Sequence, residues 1–484
     1  MDRPADRVHS VRGFFAWAAL LALFSWGGVS HERERALSNT PLVATPGRLF
    51  DEVRSLLTND GDILRYYAYA NAALGRPYQR GFVRPFSEWL AVFAAGGPSD
   101  PDLEGIVQPA APLVPYRDYL VEYPPGFFLW VLPLALLLRS PAAYTAAFAG
   151  LMAAALTFAL LLCRRLLSRL DASGSLGHAL PGAAAAGLGL LGVVCTHRLD
   201  AVVSLLVCAA VWAASARRPG WSGAALGLAI ATKLVPALLA PLLLAYAMAD
   251  AVDRPGVPKG RAAWAAGGRF SLAAAAVGLL AFAPAVALGG AGCLDLLRYH
   301  ALRPAQAEST AAALIGIARA FVPGIATASY TFGSLNLNGP AAARVASVCT
   351  GLGLLAVTAA LAVALGRVLR AASPEERLGA LLDGIAGVFL AFIVFSKVLS
   401  PQYLVWLLPL IFAAALRRAR WTLTLTLVAF GLTQILYPYA FGALARLQTW
   451  SFALVLARNL LLMALAAVIL SPPSPTAARS AALA

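Results

Sequence analysis

The run at residues 270–288, FSLAAAAVGLLAFAPAVAL, holds no charged side chain, and stretches of the same kind recur along most of the chain. A helix needs roughly 20 apolar residues to cross the hydrocarbon core of a bilayer, and within that core its backbone amides must be paired inside the segment itself. Such runs restrict the chain to an all-α, polytopic membrane protein. A water-soluble fold is excluded by charge content: 13% of the 484 residues are charged, where soluble domains carry about 25%. The net charge of +15 does not point to nucleic acid, because most basic residues fall in short breaks between apolar runs, as they do in cytoplasmic loops. Cys163, Cys195, Cys208, Cys293 and Cys349 lie in or beside apolar segments without CxxC spacing. Neither a metal site nor a disulfide framework is implied, and small apolar packing residues are expected.

Arg3, Arg7 and Arg12 precede an apolar run at 14–29 that is followed by HERERALSNT, without a small-x-small cleavage site. We expect an uncleaved first span with a cytoplasmic N-terminus, which makes residues 31–123 a large first extracytoplasmic loop. The apolar run at 126–138 is short of the roughly 20 residues that a crossing needs. Parity decides its place. If it lies in the outer interface, the clusters Arg164, Arg165, Arg169 and Arg217, Arg218 face the cytoplasm; if it crosses, both face outward against the positive-inside rule. An interfacial helix is therefore expected. Further spans are expected at 142–163, 179–196, 201–216, 270–288, 341–365, 385–395, 403–416, 421–436 and 452–470, with a hairpin at 221–250 that turns near Lys233 and Pro236. A cytoplasmic loop is expected at 251–269, and outer loops at 294–309 and 329–340. The total is about twelve transmembrane helices in a single domain, 1–470, followed by a disordered Pro/Ala/Ser tail at 471–484.

On this topology Asp60, Asp62, Glu122, Arg198, Asp200, Lys233, His300, Arg303, Gln306, Glu308, Lys397 and Gln402 all reach the outer ends of helices or the outer loops. Convergence of that kind is what an active site at the outer leaflet needs. Each has a plainer alternative. Asp62 can cap the helical YYAYANAAL, Asp60 can belong to an NDGD turn, and Glu122 can pair with Arg117. Lys233 sits in an otherwise uncharged apolar run, at a cost of roughly 2.5–3.5 kcal/mol on insertion scales, so it needs a polar partner, a hydrated cavity or an interface to snorkel to. His300 can be structural, and Lys397 can anchor a helix end.

The stretch DGDILRYYAYANAALGRPY resembles the D-x-x-x-Y-Y…A…G-x-P-Y opening of glycosyltransferase family 87, polytopic enzymes of the GT-C superfamily. EYPPGFFLWVLPLALLL is similar to their Y-P-P segment, GAALGLAIATKLVPALLAPLLL to their glycine-rich helix ending in K-x-x-P, and SKVLSPQYLVWLLPL to their late Q-Y-x-x-W-x-x-P element, which adds Tyr403 to the candidates. YHALRPAQAES resembles a loop in part of the group. One departure stands out: the family often has a G-Q-x-N-like turn where this chain has HRLD, His197 to Asp200.

The resemblance implies transfer of a sugar, mannose being the family's commonest, from a polyprenyl-phosphate donor to a glycolipid or glycan acceptor on the extracytoplasmic face of the cell membrane. It implies inversion, an Asp62 general base supported by Asp60 or Glu122, and no cofactor or obligatory metal. The remaining candidates would bind substrate, with Lys233 on the lipid phosphate, helped by Arg303, His300 or Lys397. Such chemistry needs a base for the acceptor hydroxyl and cations for the departing phosphate. A lipid-linked oligosaccharide ligase or polymerase would need the same outer site. A lipid or sugar flippase would usually show two repeated halves, which this sequence lacks.

The parity argument carries a direct test. Ser168→Cys should resist an impermeant thiol reagent in intact cells and react after permeabilisation; efficient labelling of intact cells would place the Arg164–Arg169 loop outside.

Overall fold

A computed structural model describes residues 61–94, 105–171, 173–253 and 258–472. The expected first span, Asp60 and the tail from 473 onward lie outside the described residues. Helix α1 (Gly61–Ala73) is followed by a minimal ladder of β1 (Tyr78–Gln79) with β2 (Ile106–Val107), with helix α2 (Phe86–Ala94) between them in the chain. A 3-10 turn at Pro125–Phe127 then leads into α3 (Phe128–Leu137). Ten helical residues span about 15 Å, half of a hydrocarbon core.

The bundle proper begins with α4 (Pro141–Leu167), α5 (Ser175–Leu191) and α6 (Asp200–Ser215), and continues with α7 (Pro219–Thr232), α8 (Ala240–Val252) and α9 (Lys259–Gly289). The cytoplasmic loop expected at 251–269 is shorter than the sequence implied, because α9 starts already at Lys259, directly after Pro258. Proline suits a helix start, and the Ala-rich stretch behind it propagates the helix well. Beyond α10 (Asp295–Leu302), α11 (Thr310–Ala318) and a small sheet come α12 (Pro340–Arg370), α13 (Pro374–Phe395), α14 (Tyr403–Leu416) and α15 (Arg420–Gln434). A short α16 (Phe441–Ala445) and α17 (Thr449–Leu470) complete the described helices.

Among the described residues, six helical segments are long and apolar enough to cross a membrane, and four shorter apolar helices accompany them. The fold is that of an all-α membrane protein. The 16 residues of α6 cover only about 24 Å, and this helix survives by being enclosed by its neighbours rather than by lipid. Helix α13 is the most enclosed of the six long segments, whereas the most apolar stretch of the segment containing α9 is only 6% buried.

The expected outer loop at 329–340 is instead a hairpin. Strand β4 (Thr327–Thr331) pairs antiparallel with β5 (Ser334–Asn338), which also pairs with β3 (Ala305–Gln306). The sequence TASYTFGSLNLN alternates polar and apolar residues about a two-residue turn, which is the pattern of a hairpin. Phe332 (φ 52°) and Gly333 (φ 66°) are both left-handed, the requirement of a type I′ connection.

Glycines set how closely α7 and α9 approach. A Cβ at Gly223 would fall 2.0 Å from the Phe270 carbonyl oxygen, and one at Gly227 would fall 2.4 Å from that of Ala274. Two small residues four apart let backbones meet where lipid supplies no hydrophobic drive. Because the obstacle is backbone, Gly223→Ala and Gly227→Ala should each destabilise by about 1–3 kcal/mol or more, read as a lowered melting temperature in detergent. Gly220→Ala, with open space at its Cβ, should leave the melting temperature unchanged.

Candidate active site

The carboxylates come from the segment before the bundle. Asp62 lies in the first turn of α1, inside the helix rather than before it, so it does not take the capping position that its sequence context allowed. Its Oδ2 forms an ion pair with Arg198 Nε at 2.7 Å. One turn on, Arg65 Nη1 donates to Glu122 Oε1 at 3.0 Å, and Tyr69 Oη donates to Glu122 Oε2 at 2.6 Å. The pairing of Glu122 with Arg117 expected from their nearness in sequence is replaced, because Arg117 turns to Asp118 at 2.8 Å.

A tyrosine cluster holds these two segments together. Tyr66 packs edge-on against Phe127, its hydroxyl is 3.1 Å from that of Tyr123, and Tyr119 Oη donates to the Tyr69 carbonyl. Pro124 and Pro125 then turn the chain so that Gly126 meets α7, where a Cβ would stand 2.6 Å from the Ala231 carbonyl oxygen. The Y-P-P segment thereby fixes Glu122 and Tyr123 beside Lys233.

Lys233 ends α7 with an extended backbone (φ −155°, ψ 133°), and a 3-10 turn at Val235–Leu239 leads back into α8. The helix break expected near Lys233 and Pro236 is therefore present. Its Nζ reaches Asp200 Oδ1 at 2.6 Å and lies 4.6 Å from the centre of the Trp406 ring. Asp200 is 1% exposed and also accepts from Trp406 Nε1. A buried lysine is tolerable when a carboxylate and aromatic faces replace its water.

From the later half come His300, whose Nε2 donates to the Glu122 carbonyl at 3.0 Å, and Arg303, whose Nη2 donates to Ser334 Oγ at 2.9 Å. Lys397 Nζ donates to the Ala301 carbonyl at 2.7 Å, and the Lys397 carbonyl accepts from the Gln306 amide at 2.9 Å. Segments 301–306 and 396–398 are thus tied to each other through backbone groups.

These groups surround a cavity of about 280 Å³. Of the candidates from sequence, Asp62, Glu122, Lys233, His300, Arg303, Lys397, Gln402 and Tyr403 line it. Arg198 and Asp200 stand behind it as the ion-pair partners of Asp62 and Lys233. Gln306 and Glu308 are not among its lining residues. Gln306 is buried on β3, and Glu308 is buried against Arg458, with Oε2 2.8 Å from Nη1. Arg65, Tyr123, Tyr299, Phe332 and Trp406 line the cavity but were not singled out from sequence. Arg65 was findable, since three residues after Asp62 is the same face of a helix. The hairpin tip was not, because a stretch rich in Ser, Asn and Gly reads as a loop.

The charges around the cavity do not cancel. Arg65 has Glu122, Lys233 has Asp200 and Arg198 has Asp62. Among the described residues, Arg303 and Lys397 have no carboxylate partner, and Arg303 Nε is buried without a hydrogen bond. Burial, then the neighbouring Arg303, hold the Lys397 ammonium below the usual lysine range. For Asp62, burial opposes ionisation, but Arg198, Arg65, Lys233 and Arg303 together outweigh it and keep the carboxyl below its usual pKa. The cavity therefore offers an ionised carboxylate facing two cations that lack a fixed counter-charge.

Comparison with known proteins converges on the same region. No curated protein matches the chain. The family model described as glycosyltransferase family 87 matches residues 120–322, a stretch that contains Glu122, Arg198, Asp200, Lys233, His300 and Arg303. Asp62 and the 396–406 segment complete the cavity from outside the matched range. Residues 120–322 of this all-α membrane protein are thus similar to a glycosyltransferase family 87 domain, which indicates a glycosyltransferase.

Proposed function

We propose that the protein transfers a sugar, mannose in the first instance, from a polyprenyl-phosphate donor to a glycolipid or glycan acceptor at the extracytoplasmic face of the cell membrane. Residues 1–470 act as one GT-C-type domain in this proposal. The observation that carries it is the pairing, in one small cavity, of ionised Asp62 with the uncompensated cations Arg303 and Lys397. A phosphate monoester or diester supplies the counter-charge those cations lack, and fixed cations act strongly on developing phosphate charge where water is scarce.

In this scheme the acceptor hydroxyl attacks the anomeric carbon on the face opposite the phosphate, and the new C–O bond forms as the bond to the phosphate oxygen breaks. The phosphate leaves with the electron pair toward Arg303 and Lys397, the hydroxyl proton passes to Asp62, and the configuration inverts. Lys233, already neutralised by Asp200, serves more to shape the phosphate side than to balance its charge. Tyr123, Tyr299, Phe332 and Trp406 give the aromatic walls against which a sugar ring can lie. A cavity of about 280 Å³ is near the lower end of ligand sites, which suits a sugar phosphate headgroup with its lipid chain outside.

Asp62→Asn should leave the fold and donor binding near normal and lower turnover by roughly two or more orders of magnitude, the usual scale for a lost base. Purified protein with radiolabelled polyprenyl-phosphate mannose reads this directly. Full transfer by Asp62→Asn would remove that residue from the chemistry, and movement of the lipid without bond cleavage would make the protein a flippase.

The pH profile gives a second check, with its sign fixed by the ion pair. The base works ionised, and its pKa is depressed, so activity should persist to acid and fall only as pH drops below the ordinary aspartate value of 3.8. Arg198→Gln removes the largest of the favourable charges and should move the acid limb of kcat/KM to higher pH. An unmoved limb would show that another group sets it.

A further inference from the structure

A second cavity, of about 220 Å³, lies between α12, α13 and α17, and Ala359, Val363, Leu390, Val394, Met463 and Leu470 are among its wholly apolar lining. It follows one stripe of each helix. On α12 the lining residue Val363 is four positions before Arg367, and on α13 Leu390 and Val394 share their face with Gly387 and Asp383. Residues three and four apart on a helix are neighbours, so Arg367 and Asp383 lie on the same helix faces, beyond the end of the groove. At Gly387 a Cβ would stand 2.5 Å from Leu470 Cγ, which closes the groove floor there.

At that end one carboxylate meets three guanidiniums. Asp383 is bonded by Arg367 at 3.0 Å, Arg417 at 2.8 Å and Arg418 at 2.6 Å, and its side chain is 1% exposed. Arg367 and Arg418 also donate to the Ile469 carbonyl, and Arg418 to that of Ser471, which satisfies the last turn of α17. Three positive charges against one negative leave an excess of two. Arg367 and Arg417 remain partly open, at 22% and 21% side-chain exposure. Helices α12 and α17 both terminate here, so the cluster marks the edge of the apolar region, where lipid phosphates lie.

We infer that this groove and arginine cluster form a binding site for an anionic phospholipid of the bilayer, its phosphate on Arg367 and Arg417 and one acyl chain in the groove. The arginine end of the site is separate from the sugar-transfer cavity, Asp383 being nine residues before the cavity residue Phe392, about 13 Å along α13, while the groove and the cavity share no lining residue. Charge selects the headgroup. A zwitterionic lipid fills the groove equally well but brings no net charge to the excess.

Native mass spectrometry of the full-length protein in mild detergent, offered equal amounts of phosphatidylglycerol and phosphatidylcholine, tests this. The wild type should retain phosphatidylglycerol about fivefold or more over phosphatidylcholine, the factor that a single lipid-facing cation is worth. Ala359→Trp, at an exposed groove residue, should abolish retention of both while keeping the melting temperature. Arg417→Gln should bring the two lipids close to equal. Equal retention by the wild type, or a preference unchanged in both variants, would overturn the proposal. So would displacement of phosphatidylglycerol by an equal amount of polyprenyl phosphate, which would assign the groove to the donor instead. If Arg417→Gln fails to fold, Ala359→Trp alone decides.

Discussion

Lys233 and Asp200, 2.6 Å apart, make the centre of this bundle possible. Either charge alone among packed helices would cost several kcal/mol, and breaking such a pair costs more than its net worth, because the survivor stays buried and uncompensated. The pair joins the end of α7 to the start of α6, and Trp406 on α14 closes over both. Three separated parts of the chain thus meet at one point, and the cavity opens beside it.

The HRLD turn takes on meaning in this light. Arg198 pairs with Asp62 and Asp200 pairs with Lys233, so this one short segment supplies counter-charges to both sides of the cavity. The partners are exchanged as a set: an acid of the first segment is held by a base of the turn, and a base of the hairpin by an acid of the same turn. A neutral turn at this place would leave Asp62 with Arg65 as its nearest strong influence and Lys233 with aromatic faces alone.

How much was legible beforehand depended on the range of the interaction. Apolar runs and their basic boundaries are local signals, so most helix positions followed from sequence, with Lys233 marked out as a charge needing a partner, whereas α9 and α13 begin at Lys259 and Pro374 rather than at 270 and 385 because their first turns are not apolar. Which partner it takes was not legible, since Asp200 lies 33 residues away and nothing in the spacing distinguishes it from other acids. The same holds for Glu308, which sequence placed with substrate-binding groups and which the fold buries against Arg458. The β4–β5 hairpin was missed for a different reason: its Ser, Asn and Gly content resembles a loop, and the alternation in SLNLN is short.

The pairing of Glu308 with Arg458 spans 150 residues, and this bears on the order in which the protein is made. Synthesis proceeds from the N-terminus, so Glu308 is delivered to its place long before the helix that carries its arginine exists. Arg458 Nη2 and Asn459 Nδ2 both grip the Glu308 carbonyl, and Asn459 also reaches Thr310. Until α17 is inserted, that segment holds an unmatched acid and unpaired backbone beside the segment bearing Lys397. The last helix is therefore the clasp of the assembly, and a nascent chain halted before Thr449 lacks the grip that fixes the Arg303 and Lys397 side of the cavity.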